Sequence, residues 1–149
     1  MEGSLERGIC MMDPKNPIVW LCVQGMQAEA GGKLEAAHLL FTQAWEESHT
    51  DYEACVAAHY VARHQKTAEE TLRWNQEALD RADLVKNGAV QGFYPSLYLN
   101  LAQSHASLGN REEAKKYYEW ASLTSSALSG DVYGKTVRDA IARGLERVD

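Results

Sequence analysis

Apolar and small residues recur every three or four positions along most of the chain, in stretches that are separated by short polar turns. This spacing places the apolar residues on one face of a helix, so it predicts amphipathic α-helices. No stretch shows a convincing alternation of apolar and polar residues, which would indicate a β-strand. The pattern therefore predicts an all-α protein.

The helical pattern repeats. Moving the chain by 34 positions aligns Ala28 with Ala62 and Ala44 with Ala78, and a further move of 43 positions aligns Ala78 with Ala121. Each unit predicts two helices joined by a turn, since stripes of small and large residues flank Gly31-Gly32 and Gly109-Asn110. In the second helix the first and third units have the same small–aromatic–small set, namely Ala37, Phe41 and Ala44, and Ala114, Tyr118 and Ala121.

The middle unit departs from this set. His59 stands where the first unit has Gly25, and Asn75 stands where it has Phe41. Thr50 and Thr67 are each followed three positions later by glutamate, which is typical of a capping box at the start of a helix. Asn110, followed by Glu113, is a third such start in the last unit, with asparagine as the cap. The middle unit is therefore recognised mainly by its register and by its predicted helix starts.

These signals predict a single domain over residues 17–149, preceded by a flexible segment at 1–16 of which 1–12 are mobile. The predicted units cover about 17–49, 51–86 and 94–127, and a last helix covers about 131–148. A terminal helix with a polar outer face is what an array of repeats needs at its end, so the last helix is predicted to cap the array.

A period near 34 residues with a small–aromatic–small second helix resembles the tetratricopeptide-repeat (TPR) family. The resemblance covers about residues 17–127, and the whole chain resembles short, stand-alone, bacterial-type TPR proteins without a defined role. It implies three helical hairpins in a right-handed superhelix, followed by the capping helix. It also implies a binding role, because TPR proteins dock peptides on the concave face that the first helices of the hairpins line.

Composition and charge narrow the possible partners. The net charge is −6 and the basic residues form no cluster, so nucleic-acid binding is not expected. No apolar run approaches the length of a membrane span. Three cysteines without CxxC spacing favour free thiols in the cytoplasm over a disulfide framework or a zinc site.

No pattern of an enzyme site is present. The sequence lacks a glycine-rich phosphate loop, a nucleophile elbow and an HExxH helix. His59 and His64 are five positions apart, which does not place them on one face of a helix as zinc ligands. We therefore predict no catalytic residue, no cofactor and no metal site.

The resemblance implies a concave surface for a protein or peptide partner whose identity the sequence does not supply. Arg63 suits a carboxylate or phosphate, and Asn100 lies where chaperone-tail-binding TPR proteins hold a terminal carboxylate. Cys22 and Met26 replace the remaining residues of that clamp, so chaperone-tail binding is not implied. The residues predicted to contact the partner are Met26, Glu53, Tyr60, Arg63, His64, Ser96, Asn100 and Gln103.

Two alternatives stay open. A small ligand bound near Tyr60, Arg63 and His64 would make the chain a ligand-responsive regulator. A last helix folded across the concave face would instead make it a structural, self-associating protein, and a homodimer is possible. Its four tryptophans are either packed between the hairpins or exposed together as a dimer face; they are Trp20, Trp45, Trp74 and Trp120.

Overall fold

The computed structural model describes residues 13–149, and the prediction of mobility at residues 1–12 lies outside this part of the chain. Over the described residues the chain is helical and has no β-strand, which confirms the all-α prediction. The helices of this part are α1 (Pro17–Ala30), α2 (Leu34–Glu47), α3 (Asp51–Val61), α4 (Ala68–Leu84), α5 (Tyr94–Ser107), α6 (Arg111–Thr124) and α7 (Val132–Val148), with 3-10 turns at Ala62–His64, Gln91–Phe93 and Ser125–Ala127.

Neighbouring helices pack in pairs. Helix α1 packs on α2, α3 on α4 and α5 on α6, and these three pairs are joined through contacts of α2 with α3 and of α4 with α5. Helix α1 also contacts α3, and α7 packs on both α6 and α5. The helix bounds lie close to the predicted units, except that α4 ends at Leu84 instead of Lys86.

Side-chain caps account for most of the helix starts. The Thr50 hydroxyl accepts a hydrogen bond from the Glu53 N–H at 3.1 Å, and the Thr67 hydroxyl accepts one from the Glu70 N–H at 3.1 Å. Both predicted capping starts are therefore confirmed. Asn110 stands at the N-cap position of α6, as predicted, but its side chain makes no capping hydrogen bond, and its Nδ2 lies 3.2 Å from Nδ1 of His105.

The aligned small residues form the close contacts between helices. Ala37, Ala44, Ala78, Ala114 and Ala121 are fully buried, as the repeat requires. Small side chains let helix axes approach, and a large side chain then fills the space beside them.

Glycines mark the tightest of these contacts. A Cβ atom at Gly25 would lie 2.2 Å from Cε1 of Phe41, and one at Gly144 would lie 2.1 Å from Cε1 of Tyr118. Both positions therefore exclude a larger residue unless the facing ring moves.

Helix α7 is held to the rest of the chain by polar contacts as well as by its apolar face. The Arg138 guanidinium donates hydrogen bonds to the carbonyls of Ser129 at 3.0 Å and Leu128 at 2.9 Å. Gly134 in the first turn lies against the preceding loop, where a Cβ atom would be 1.8 Å from the Ser129 oxygen. Among the helices described, none is both long and apolar enough to cross a membrane.

Candidate functional site

A cleft with a volume of about 270 Å³ opens between α3, the start of α4 and α5. It brings together three of the predicted contact residues, Arg63, Asn100 and Gln103. Among the described residues that line it there is no aspartate or glutamate, so Arg63 is the charged group of its wall. The polar side chains of the lining that lie outside the final predicted contact set are His59, Thr71, Asn75, Ser104 and Ser107.

The cleft lies where the middle unit departs from the repeat. In the first pair of helices Gly25 leaves room for the ring of Phe41, which fills the space beside it. In the second pair the larger side chain is His59 on the first helix, and the smaller one is Asn75 on the second helix. An asparagine does not reach as far as an aromatic ring, so space remains at the surface between α4 and α5. This departure was the available sequence signal for His59 and Asn75.

Hydrogen bonds connect the three helices around the cleft. Nδ2 of Asn100 lies 3.3 Å from Nδ1 of His59. Nδ2 of Asn75 donates to Oγ of Ser104 at 2.8 Å and more weakly to the Asn100 carbonyl at 3.5 Å. Asn75 is a buried polar residue, and buried amides are stable only when they are hydrogen-bonded. The polar wall is therefore ordered before any ligand arrives.

His59 is neutral at physiological pH. Its ring is partly buried against those of Tyr60 and Phe93, at centroid distances of 4.8 and 5.5 Å. Burial, followed by the nearby positive charge of Arg63, lowers the pKa of His59 from 6.5 to about 4. A neutral ring can accept the Asn100 hydrogen bond at Nδ1, whereas a protonated ring cannot.

We expect the protein to lose stability as the pH falls from about 6.5 to 4. Because the pKa of His59 is lower in the folded protein than in the unfolded chain, the unfolded chain binds a proton at a higher pH. Proton binding below pH 6.5 therefore favours unfolding. The difference between 6.5 and about 4 corresponds to at most about 3 kcal/mol of unfolding free energy. Urea denaturation at several pH values measures this loss. The His59→Gln variant should lose less over the same interval, and an equal loss in both proteins would contradict the assignment.

Arg63 is anchored at the rim of the cleft. Its guanidinium pairs with Glu29 at 3.1 Å and lies over the Tyr60 ring, 5.6 Å from the centroid. The other oxygen of Glu29 lies 2.6 Å from Nε2 of His64. Half of the Arg63 side chain stays exposed, so nitrogens that do not contact Glu29 are available to a ligand. His64 itself packs against Phe41 and lies outside the cleft lining.

The remaining predicted contact residues lie away from the open surface. Met26, Tyr60 and Ser96 are buried, and Oγ of Ser96 is hydrogen-bonded to the Tyr133 hydroxyl of α7 at 2.5 Å. The Tyr60 ring stacks on that of Phe41, and burial raises the pKa of Tyr60. These three side chains therefore act in packing, and a partner would reach them only after the helices moved.

Glu53 acts at the joint between α1 and α3. Its carboxylate accepts hydrogen bonds from Nδ2 of Asn16 at 2.9 Å and from the His49 N–H at 2.8 Å. Burial alone would raise the pKa of the Glu53 carboxyl, but these hydrogen bonds and that of Thr50 hold it below its ordinary value. The carboxylate is thus occupied within the chain.

The thiols are poor nucleophiles. Cys22 and Cys55 are free and fully buried, and burial raises the pKa of each to about 12. A thiol with such a pKa stays protonated at neutral pH and does not attack a substrate. Cys10 lies outside the described residues. No cluster of three or more potential metal ligands occurs within residues 13–149.

The tryptophans divide into two groups. Trp45 and Trp74 pack edge to face between the first and second pairs of helices, with ring centroids 4.9 Å apart. Trp20 and Trp120 are exposed, but they lie on α1 and α6, in different pairs of helices. Packing between the pairs of helices therefore describes Trp45 and Trp74 but not Trp20 and Trp120.

Comparisons with known proteins add no identification: no protein-family model matches the chain, and neither the curated proteins nor the solved structures include a significant match.

Proposed function

We propose that this chain is a non-catalytic protein- or peptide-binding module of the TPR type, which binds its partner at the surface formed by the first helices of its hairpins. The recurring small–aromatic–small pattern supports the TPR assignment. Free, buried Cys22 and Cys55 fit a reducing compartment such as the cytoplasm.

The cleft between α3, α4 and α5 is the observation that carries this proposal. It is concave, its polar wall is held by hydrogen bonds within the chain, and Arg63 stands at its rim. A few well-placed polar groups in a preformed depression are typical of a recognition site. The wall offers neither an activated nucleophile nor a paired acid and base, so the geometry supports binding better than catalysis.

Photo-crosslinking tests the proposal in the cells that express the chain. A photoreactive residue at exposed Gln103, on the cleft wall, should capture defined proteins or peptides. The same residue at exposed Gln43 of α2, away from the cleft, should not capture them. Identical conjugates from both positions, or none from Gln103, would contradict a partner-binding cleft.

We expect Arg63→Ala to reduce this capture by about tenfold while leaving the fold intact. The Arg63 side chain is half exposed, and Glu29, which is only 15% exposed, keeps its contact with His64 when Arg63 is removed, so we expect the loss to stay near the roughly 0–1 kcal/mol that is typical of surface ion pairs. The melting temperature should therefore change by less than about 4 °C. Arg73→Ala is the matched control, because Arg73 is exposed on α4 outside the cleft lining. A lowered melting temperature with unchanged capture would show that Arg63 acts only in stability.

A further inference from the structure

We propose that the cleft between α3, α4 and α5 binds a neutral carboxamide group, either a peptide bond or the side-chain amide of asparagine or glutamine. This inference rests on the proposed binding function and specifies the chemistry of the same site. It follows from the hydrogen-bonding groups that the wall leaves free.

Asn75 presents an acceptor to the cleft. Its side chain is 5% exposed, and both of its hydrogen bonds use Nδ2. One of them goes to the carbonyl of Asn100, which can only accept, so the NH₂ group must face that carbonyl and Oδ1 must face away from it. Within residues 13–149, Nδ1 of His38 is the one fully buried side-chain nitrogen or oxygen without a hydrogen-bond partner, so Oδ1 of Asn75 is not fully buried. The unpaired Oδ1 of Asn75 therefore opens to the cleft that this residue lines.

Hydrogen-bond donors line the same cleft as this acceptor. His59 is neutral and takes the Asn100 hydrogen bond at Nδ1, so its remaining hydrogen is on Nε2. Ser104 accepts from Asn75 at Oγ and keeps its own hydroxyl hydrogen to donate. Gln103 adds an exposed amide. A group that fills the cleft must therefore both donate a hydrogen bond and accept one.

This requirement separates the classes of ligand. A carboxylate has no hydrogen to give to Oδ1 of Asn75, and covering that acceptor without a hydrogen bond costs about 1–3 kcal/mol. An ammonium group accepts nothing, and the cleft wall has Arg63 but no carboxylate. An apolar group would remove water from polar atoms without replacing their hydrogen bonds. A carboxamide supplies both N–H and C=O in one plane.

The cleft is large enough for this group. About 270 Å³ corresponds to the liquid volume of roughly nine water molecules. A side-chain amide or a single peptide unit fits within this space.

Titrations with three small probes, followed by nuclear magnetic resonance, test the proposal on the full chain. Propionamide represents a side-chain amide, N-methylacetamide represents a peptide bond, and propionate is the anion of the same shape as propionamide. We expect at least one amide to shift the side-chain resonances of Asn75 and Asn100 in a saturable way, with a dissociation constant about tenfold or more below that of propionate. The amide that binds more tightly identifies the source of the group. Equal or tighter binding of propionate, or no shift with any probe, overturns the proposal.

Variants of the wall make the test specific. Asn75→Leu keeps a similar volume but removes the acceptor, so it should weaken amide binding about tenfold, and it should not weaken propionate, because the unpaired acceptor that opposes a carboxylate is gone. Should this variant fail to fold, Ser107→Leu at the exposed rim should block the amide while Ser122→Leu, at an exposed serine of α6, should not. Unaltered amide binding in the folded Asn75 variant, or in the Ser107 variant, would place the amide elsewhere.

The two proposals fail in different ways. If an amide binds but the residue at Gln103 captures no protein, the carboxamide proposal stands and the proposal of a protein or peptide partner is contradicted. If the residue at Gln103 captures a protein but propionate binds more tightly than the amides, the partner proposal stands and the carboxamide proposal is contradicted.

Discussion

Replacing Phe41 with alanine is expected to lower the free energy of unfolding by about 3–5 kcal/mol. The ring is fully buried and stacks on the rings of Tyr60 and His64, at centroid distances of 5.3 and 5.6 Å. Gly25 faces it from α1 and has no side chain that can move into the cavity. The loss therefore includes both the buried apolar surface and an unfilled cavity. Urea denaturation followed by far-ultraviolet circular dichroism measures it.

Leu39→Ala is the control for this prediction. Leu39 lies on the same helix but is 63% exposed, so its replacement should change the unfolding free energy by less than about 0.5 kcal/mol. A cost below about 1 kcal/mol for Phe41→Ala would mean that the first two pairs of helices do not depend on this ring.

The second large effect is expected at the junction of α6 and α7. Gly144→Ala places a methyl group where Cε1 of Tyr118 now lies, since the added Cβ would be 2.1 Å from that atom. Tyr118 is buried, so either its ring or the whole of α7 must shift, and overpacking of this kind costs about 1–3 kcal/mol. Because the added methyl group disturbs the contact of α7 with α6, hydrogen exchange should show faster opening in α7 than in α1.

A matched glycine and a compensating change test the cause of this effect. A Cβ atom at Gly130 would meet nothing within 4 Å, so Gly130→Ala should be close to neutral. Tyr118→Leu should recover part of the stability that Gly144→Ala removes, because the shorter side chain leaves room for the methyl group. A double variant that loses the full sum of the two single changes would show that the ring and the methyl group do not meet.

The two glycine–aromatic contacts explain why the middle of the chain differs. The pairs Gly25–Phe41 and Gly144–Tyr118 are closed by apolar packing. In the middle pair the large side chain, His59, is on the first helix, and its ring lies within hydrogen-bonding distance of the Asn100 amide. The polar cleft therefore lies where the middle unit has no packed aromatic ring. Polar groups that replace apolar packing are often found at functional sites.

The helices and their starts were predictable from the sequence. Burial of one face imposes a period of 3.6 residues on the chain, and a threonine cap acts on N–H groups only two or three positions away. Both are local effects, so the pattern near Thr50 and Thr67 sufficed. Asn110 shows the limit, because it stands at the N-cap of α6 as predicted, but its side chain contacts His105 of α5 instead of the first N–H groups of α6.

The tertiary structure alone decided which of the predicted residues line the cleft. The register of the repeat predicted that Tyr60, Arg63 and Asn100 lie on the first helices and face a partner. In the structure Tyr60 is buried under Phe41, whereas Arg63 lies half exposed at the rim of the cleft. The cleft depends on the volume left between three helices after every side chain has packed, and a carbonyl of α5 accepts a hydrogen bond from the Asn75 amide in its wall. Such a volume depends on residues far apart in sequence, whereas the helical period depends on neighbours. That is why the sequence predicted the helices and only the assembled helices revealed the site.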